Sequence, residues 1–172
     1  MAVGRDLYRA ISGSFPTGIV IVATLDAAGA PKGLTTQAYI GLSIEPPLML
    51  VSIDKSSRTL ASLHRHRAFV INFLRAGAEE IATLFASKSE EKFKDLRWEP
   101  AAQVRGAPIL REAVVAYAAC VVKDAIEAGD HWIFIGSVEA GELIGGTPLM
   151  YYRRTYAAWP EESPAPPVEG AG

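Results

Sequence analysis

Apolar positions along this chain come mostly in short unbroken runs separated by turn-forming residues, the spacing of strands rather than of long helices. The first run, Ile19-Val20-Ile21-Val22-Ala23-Thr24-Leu25, is β-branched and too short for a typical helix. It closes on Asp26-Ala27-Ala28-Gly29-Ala30-Pro31, a stretch built from turn residues, so a second strand over 32–42 completes a hairpin. Pro46 and Pro47 introduce a strand over 48–53, a placement that needs no ladder donor from proline. Further strands are predicted over 68–74, 114–125, 132–138 and 149–152, with Gly129-Asp130-His131 turning the chain between the two long ones.

Helical spacing is confined to three short segments. Leu7, Ala10, Ile11 and Ser14 share one face of an N-terminal helix that ends near Gly13 or Pro16. Ser56 and Ser57 can cap a second helix with Leu60 and Leu63 inward, and 78–86 carries Ile81, Leu84 and Phe85 at i, i+3, i+4. Six or seven strands joined by tight turns leave no room for the crossovers of a parallel sheet. The expected architecture is an antiparallel barrel with helices packed outside. Its long apolar strands require cover on both faces, from helices or from a second subunit.

Composition narrows the picture rather than changing it. The chain has 172 residues, 49% of them hydrophobic, and one domain is the expectation. The folded unit is placed at residues 5–159, within a domain spanning 1–159. The stretch 160–172, rich in Pro, Glu and Gly, is expected to be a disordered tail. With 17 basic and 19 acidic side chains there is no concentrated basic character, which argues against a general nucleic-acid partner. No apolar run approaches the ~20 residues of a membrane span, and the first residues lack the apolar core of a signal peptide. The single Cys120 fits a reducing compartment, and a cytoplasmic location is expected.

Several chemistries are excluded by motif. No Gly-x-Gly-x-x-Gly follows a strand, and there is no Walker A loop, nucleophile elbow or His-Glu-x-x-His. Three features remain, each with two readings. Lys55-Ser56-Ser57-Arg58-Thr59, where a strand gives way to a helix, offers the donors a phosphate monoester wants; it is equally a capped helix start with solvated cations. Gly33-Leu34-Thr35-Thr36-Gln37-Ala38 lets a flat ligand approach the backbone, or is simply a strand with a wet face. Gly129-Asp130-His131 is turn chemistry, with His131 either opening a strand or donating at a pocket rim. His64 and His66, with Arg65 and Arg67, read as a solvated basic helix end, and Cys120 as an inert core residue.

Taken in order, these pieces resemble the flavin reductase family with the FMN-binding split-barrel fold, the reductase components of two-component flavin-dependent monooxygenases. The resemblance runs through Phe15-Pro16-Thr17-Gly18 and Gly33-Leu34-Thr35. It is clearest at Leu42-Ser43-Ile44-Glu45-Pro46-Pro47-Leu48, which is similar to the family's Ser-Leu-x-Pro-Pro-Leu. It continues through 55–59, Phe69-Val70-Ile71-Asn72-Phe73-Leu74, Phe85-Ala86 and Gly129-Asp130-His131, and closes at Pro148-Leu149. It implies a six-stranded antiparallel split barrel of Greek-key type, mostly β with short helices, working as a homodimer. It also implies FMN or FAD as flavin, NADH or NADPH as reductant, and a separate monooxygenase that receives the reduced flavin. The ring would lie against Thr35, Thr36, Gln37 and Ala38 and against Ser52, Ile53 and Asp54. The flavin phosphate would sit on Ser57 and Thr59 with Lys55 or Arg58, and Phe85 and Lys92 would close over the flavin. Gly129 and Asp130 would belong to the cofactor site, and His131, the candidate catalytic residue, would lie near the nicotinamide. The family commonly carries Ser or Asn where this chain has Gln37-Ala38. Two other readings fit the same fold: an electron-carrier module that holds FMN tightly, and an oxidase of the pyridoxamine phosphate type, which the residue series matches less well.

Overall fold

The computed structural model describes residues 2–160. The predicted tail over 160–172 therefore lies outside the described residues beyond Pro160. Helix α1 (Arg5–Ser12) leads into a two-residue strand β1 (Thr17–Gly18) and then β2 (Val20–Leu25). Strands β3 (Pro31–Thr36), β4 (Tyr39–Ser43) and β5 (Leu48–Asp54) follow, then α2 (Leu60–His66), β6 (Ala68–Leu74) and α3 (Glu79–Ala86). A small ribbon of β7 (Glu99–Ala101) and β8 (Ala107–Ile109) precedes the long hairpin of β9 (Val114–Ala128) and β10 (His131–Leu143). Strands β11 (Leu149–Tyr152) and β12 (Thr155–Ala158) close the chain, pairing with β1 in a three-stranded sheet.

The main sheet is antiparallel throughout, ordered β3-β2-β6-β9-β10-β5-β4, so it has seven strands where six were expected. The stretch read as one strand over 32–42 is two. It breaks at Gln37 and Ala38, and its halves occupy opposite edges of the sheet. Two residues cannot bridge a flat seven-stranded sheet at about 4.8 Å per strand. The sheet must curl until its edges nearly meet.

Alternation on the central strands then fills two different layers. Val20 and Val22 of β2, Val51 and Ile53 of β5, Phe69 and Ile71 of β6 and Phe134 of β10 pack together with Leu63 of α2 in the concave interior. Ile21 and Ala23 face the other way, onto Leu74, Ala78, Ala82 and Phe85 beneath α3. Ala68 and Val70 meet the β7–β8 ribbon through Val104, Ala107 and Ile109. Helices and a ribbon thus supply the double cover that the apolar strands demand. The inward face of α3 is Ala82 and Phe85, whereas Leu84, expected to face in, is 36% exposed. Helix α1 buries none of its residues, leaving Leu7 and Ile11 more than half exposed.

Candidate functional site

The register between β5 and β10 places Asp54 directly opposite His131 and Ser52 opposite Ile133. Side chains of paired residues share a face, so Ser52, Asp54 and His131 look outward from the sheet while Ile53 and Phe134 look into the core. Gly129, at φ +61°, makes the turn that starts β10. The turn is tied to the end of β5, because the Lys55 N–H donates to the Asp130 carbonyl at 2.9 Å. His131 Nδ1 lies 2.7 Å from Asp130 Oδ1. The Asp54 carboxylate accepts the Ser56 N–H at 2.7 Å, and the Asp54 carbonyl accepts the Ser57 N–H at 2.9 Å. Hydrogen bonds from Ser56, with a smaller contribution from the His131 charge, hold Asp54 below the ordinary 3.8. His131 does the same for Asp130. Two carboxylates and one imidazole therefore share this corner.

The β3–β4 break arrives at the same place. Ser52 N–H donates to the Ala38 carbonyl at 2.8 Å, and Ala38 N–H donates to Thr36 Oγ1 at 3.0 Å. Thr17 of β1 donates to Gln37 Oε1 at 3.0 Å. Gln37 and Ala38 are exposed, and Ser52 and Ser57 half-buried. A continuous polar strip results, running from Gln37 and Ala38 through Ser52 and Asp54 to His131 on one side and Ser57 on the other.

Other residues of the predicted site are placed differently. Thr35 turns away from the strip and donates to the Ala82 carbonyl of α3 at 2.6 Å. Ile53 and Phe85 are core side chains. Gly33, expected to admit a ligand, lies under Phe85; a Cβ there would come within 2.8 Å of its ring. Lys92 donates to the Phe85 carbonyl at 2.7 Å and the Gly33 carbonyl at 3.2 Å, and burial pushes its pKa down. Its ammonium pins the segment after α3 onto β3. Arg58 reaches the same segment, donating to the Lys88 carbonyl and to Glu90, both at 2.6 Å. Lys55 is paired with Glu127 at 2.5 Å. Thr59 is buried and is itself the first residue of the α2 boundary, with no side-chain cap. Ser56 and Ser57 are turn residues, not caps: the boundary of α2 falls at Thr59, and Ser57 Oγ accepts the Thr59 N–H at 3.3 Å within the turn.

The histidines of α2 are not a solvated helix end. His64 packs edge-on against Trp132, with ring centroids 4.5 Å apart, and His66 has a buried Nε2 without a hydrogen-bond partner. Cys120 is fully buried, and burial pushes its thiol up to about 12, well above the range of a nucleophile. A cleft of about 850 Å³ that no sequence motif marks lies between α1 and the β11–β12 turn, lined by Arg9, Gln37, Tyr151, Arg153 and Arg154 among others. Its one signal in the sequence is the Arg153-Arg154 pair, which can be read either as meeting a 2′-phosphate or, as is commoner for paired arginines near a chain end, as solvent-facing.

Residues 12–160 match the flavin reductase like domain. The chain belongs to the flavin reductase family. It is 44% identical to a flavin reductase (NADH) of Kitasatospora aureofaciens over 94% of this chain and 86% of the relative. It is 34% identical to a flavin reductase (NADPH) of Lentzea aerocolonigenes, covering 90% of each. It is 33% identical to the reductase subunit HsaB of a flavin-dependent monooxygenase from Rhodococcus jostii, over 90% of this chain and 78% of that subunit. Among solved structures it resembles an NADH:FAD oxidoreductase of Streptomyces globisporus in complex with NAD and FAD fragments. There the TM-score is 0.86 at 27% identity, over 95% of this chain and 99% of that one. The β5–β10 corner and the β3–β4 break both fall within the matched span.

Proposed function

We propose that this member of the family is an NAD(P)H:flavin oxidoreductase that delivers reduced FMN or FAD to a separate monooxygenase. The observation that carries the reading is the meeting of Ala38, Ser52, Asp54 and His131 on one exposed face of the sheet. The donor set there fits a mononucleotide. Ala38 presents a small side chain beside the Ser52 hydroxyl, so a flat ring can lie against backbone. Ser57 puts a hydroxyl at one end, where a terminal phosphate is matched; Lys55 and Arg58 lie at the same end and add their charge only by exchanging Glu127 and Glu90 for the phosphate.

Flavin and nicotinamide, when both are bound, supply hydride transfer from nicotinamide C4 to flavin N5. The chain's part is to hold and orient. Gln37 and Ser52 direct hydrogen-bonding groups at the ring edge, and Asp54 fixes the turn that carries Ser57. His131, held by Asp130, positions the nicotinamide and requires no proton transfer of its own. Proximity of this kind accounts for up to about 7–11 kcal/mol of barrier lowering when geometry is near-ideal.

The working unit is a homodimeric split barrel. Leu7 and Ile11 of α1, and Ile40, Leu42 and Ile44 around β4, are large apolar side chains that the single chain leaves exposed, Ile44 at 94%. A second copy would cover both sets.

The deciding experiment is NADH or NADPH oxidation by purified protein with FMN, FAD or riboflavin added. Turnover that depends on added flavin supports the reductase. A yellow protein that keeps its FMN and reduces no free flavin supports the electron carrier instead, and absence of turnover with every flavin removes the enzyme reading.

A further inference from the structure

The geometry points to the cleft beside α1 as the subsite for the phosphate-bearing adenosine half of the pyridine nucleotide, with Arg9, Arg153 and Arg154 as its anion-binding residues. The inference rests on the reductase reading for its choice of ligand and on the cleft for its chemistry. At about 850 Å³ the cleft has the capacity of a nucleotide site. Three guanidinium groups line it against one carboxylate, Asp6. None of the three arginines forms an ion pair among the described residues. Uncompensated guanidinium groups converging on a concave surface suit phosphate oxygens.

The turn that presents two of them is unusual. Tyr152 and Thr155 are paired across β11 and β12, so Arg153 and Arg154 form a two-residue hairpin loop. Both adopt positive φ, 47° and 66°, the pattern of a type I′ turn that strongly favours Asn-Gly. Arginine is held in a conformation that L side chains rarely adopt, at two successive positions, and both face the same cleft. Arg153 is further steadied by the Tyr152 ring, 5.0 Å from its guanidinium carbon.

Position selects the ligand. Gln37 belongs to both the cleft wall and the polar strip, and Thr17, which donates to Gln37, is paired with Tyr151 of the cleft. Along the strip, Gln37 and Ser57 are opposite ends. A flavin whose phosphate sits at Ser57 and whose ring edge meets Gln37 leaves the cleft beyond Gln37 to the adenosine half of the second nucleotide, whose nicotinamide is placed at His131. The cleft therefore takes that nucleotide's pyrophosphate or 2′-phosphate.

The test replaces the loop by the residues its backbone favours, Arg153→Asn with Arg154→Gly, so that charge is lost while the turn is kept. The expected result is a KM for pyridine nucleotide raised about tenfold, with kcat and the flavin KM within about twofold and an unchanged or higher Tm. A rise for NADPH alone assigns the arginines to the 2′-phosphate, and an equal rise for NADH assigns them to the pyrophosphate. Unchanged KM values for both nucleotides, or a rise confined to FAD while FMN is unaffected, overturn the proposal. Calorimetric titration with ADP and 2′,5′-ADP gives a readout that needs no turnover: wild type binds at least one, and the double variant binds it about tenfold more weakly. If wild type binds neither, the cleft assignment fails. If it binds but oxidises no nucleotide with any flavin, the reductase reading fails and the anion site stands. Should the double variant not fold, Arg9→Gln on the exposed face of α1 carries the same expectation.

Discussion

His131 is ordered from two sides, by the ladder opposite Asp54 and by Asp130 at 2.7 Å, and that constraint is what suits it to positioning. His131→Ala is expected to raise the KM for pyridine nucleotide more than it lowers kcat. Steady-state kinetics with NADH and NADPH check this, and a KM unchanged for both removes the assignment. Gly136 illustrates a residue chosen for closeness rather than for turn geometry. A Cβ there would meet Cys120 Cβ at 2.7 Å and the Phe69 ring at 2.8 Å, in a layer where both neighbours are fully buried. Gly136→Ala is expected to destabilise the fold by about 1–3 kcal/mol, since neither neighbour can withdraw without disturbing the sheet. An unshifted midpoint in urea unfolding would mean the strands separate more easily than the packing implies.

At the scale of elements, the corner of the site is built from two chain reversals that hold each other. The β5–α2 turn is closed by Asp54, and the β9–β10 turn is joined to it by the bond between Lys55 N–H and the Asp130 carbonyl. Both carboxylates are held below 3.8, so the unfolded chain binds protons there before the folded one does. The stabilisation is complete above that value and is lost as pH falls through the folded pKa. Tm is therefore expected to drop between about pH 5 and pH 3, and Asp54→Asn, which keeps an acceptor for Ser56, should flatten part of that drop. Identical Tm-versus-pH curves for the two proteins would show that the Asp54 charge contributes nothing. The serines do not cap α2 because the helix starts further on, with Thr59 at its boundary.

Over the whole molecule, the core divides into an interior layer and an outer layer under α3 and the β7–β8 ribbon, and what neither covers is α1 and β4. Exposed Leu7, Ile11 and Ile44 lie among the most accessible apolar side chains of the chain. Leu7→Glu combined with Ile11→Glu is expected to convert a dimer to a monomer in size-exclusion chromatography with light scattering, with the far-UV circular dichroism spectrum retained. A wild-type chain that is monomeric at every accessible concentration would show that these side chains serve another purpose.

Runs such as 19–25, 68–74 and 114–125 declare themselves as strands because burial on both faces requires unbroken β-branched sequence. Hairpin turns declare themselves through Gly29 and Gly129, whose positive φ few other residues tolerate. From these the antiparallel, mostly-β class and the order of the long strands followed, whereas the family resemblance rested on the ordered residue motifs, clearest at 42–48. Other features had no local signature. The split of 32–42 into β3 and β4 depends on which edge each half can pair with, a matter of sheet closure. The β7–β8 ribbon pairs Pro100 with Pro108, and a residue without a donor reads as loop. Whether Thr35, Lys92 or Arg58 is free for a ligand was decided by α3 and the segment after it, whose carbonyls and Glu90 claim them. The arginine cleft exists only because α1 and the β11–β12 turn, far apart in sequence, converge on Gln37. Local physics specifies elements; competition among distant groups for the same hydrogen bonds and the same surface specifies the site.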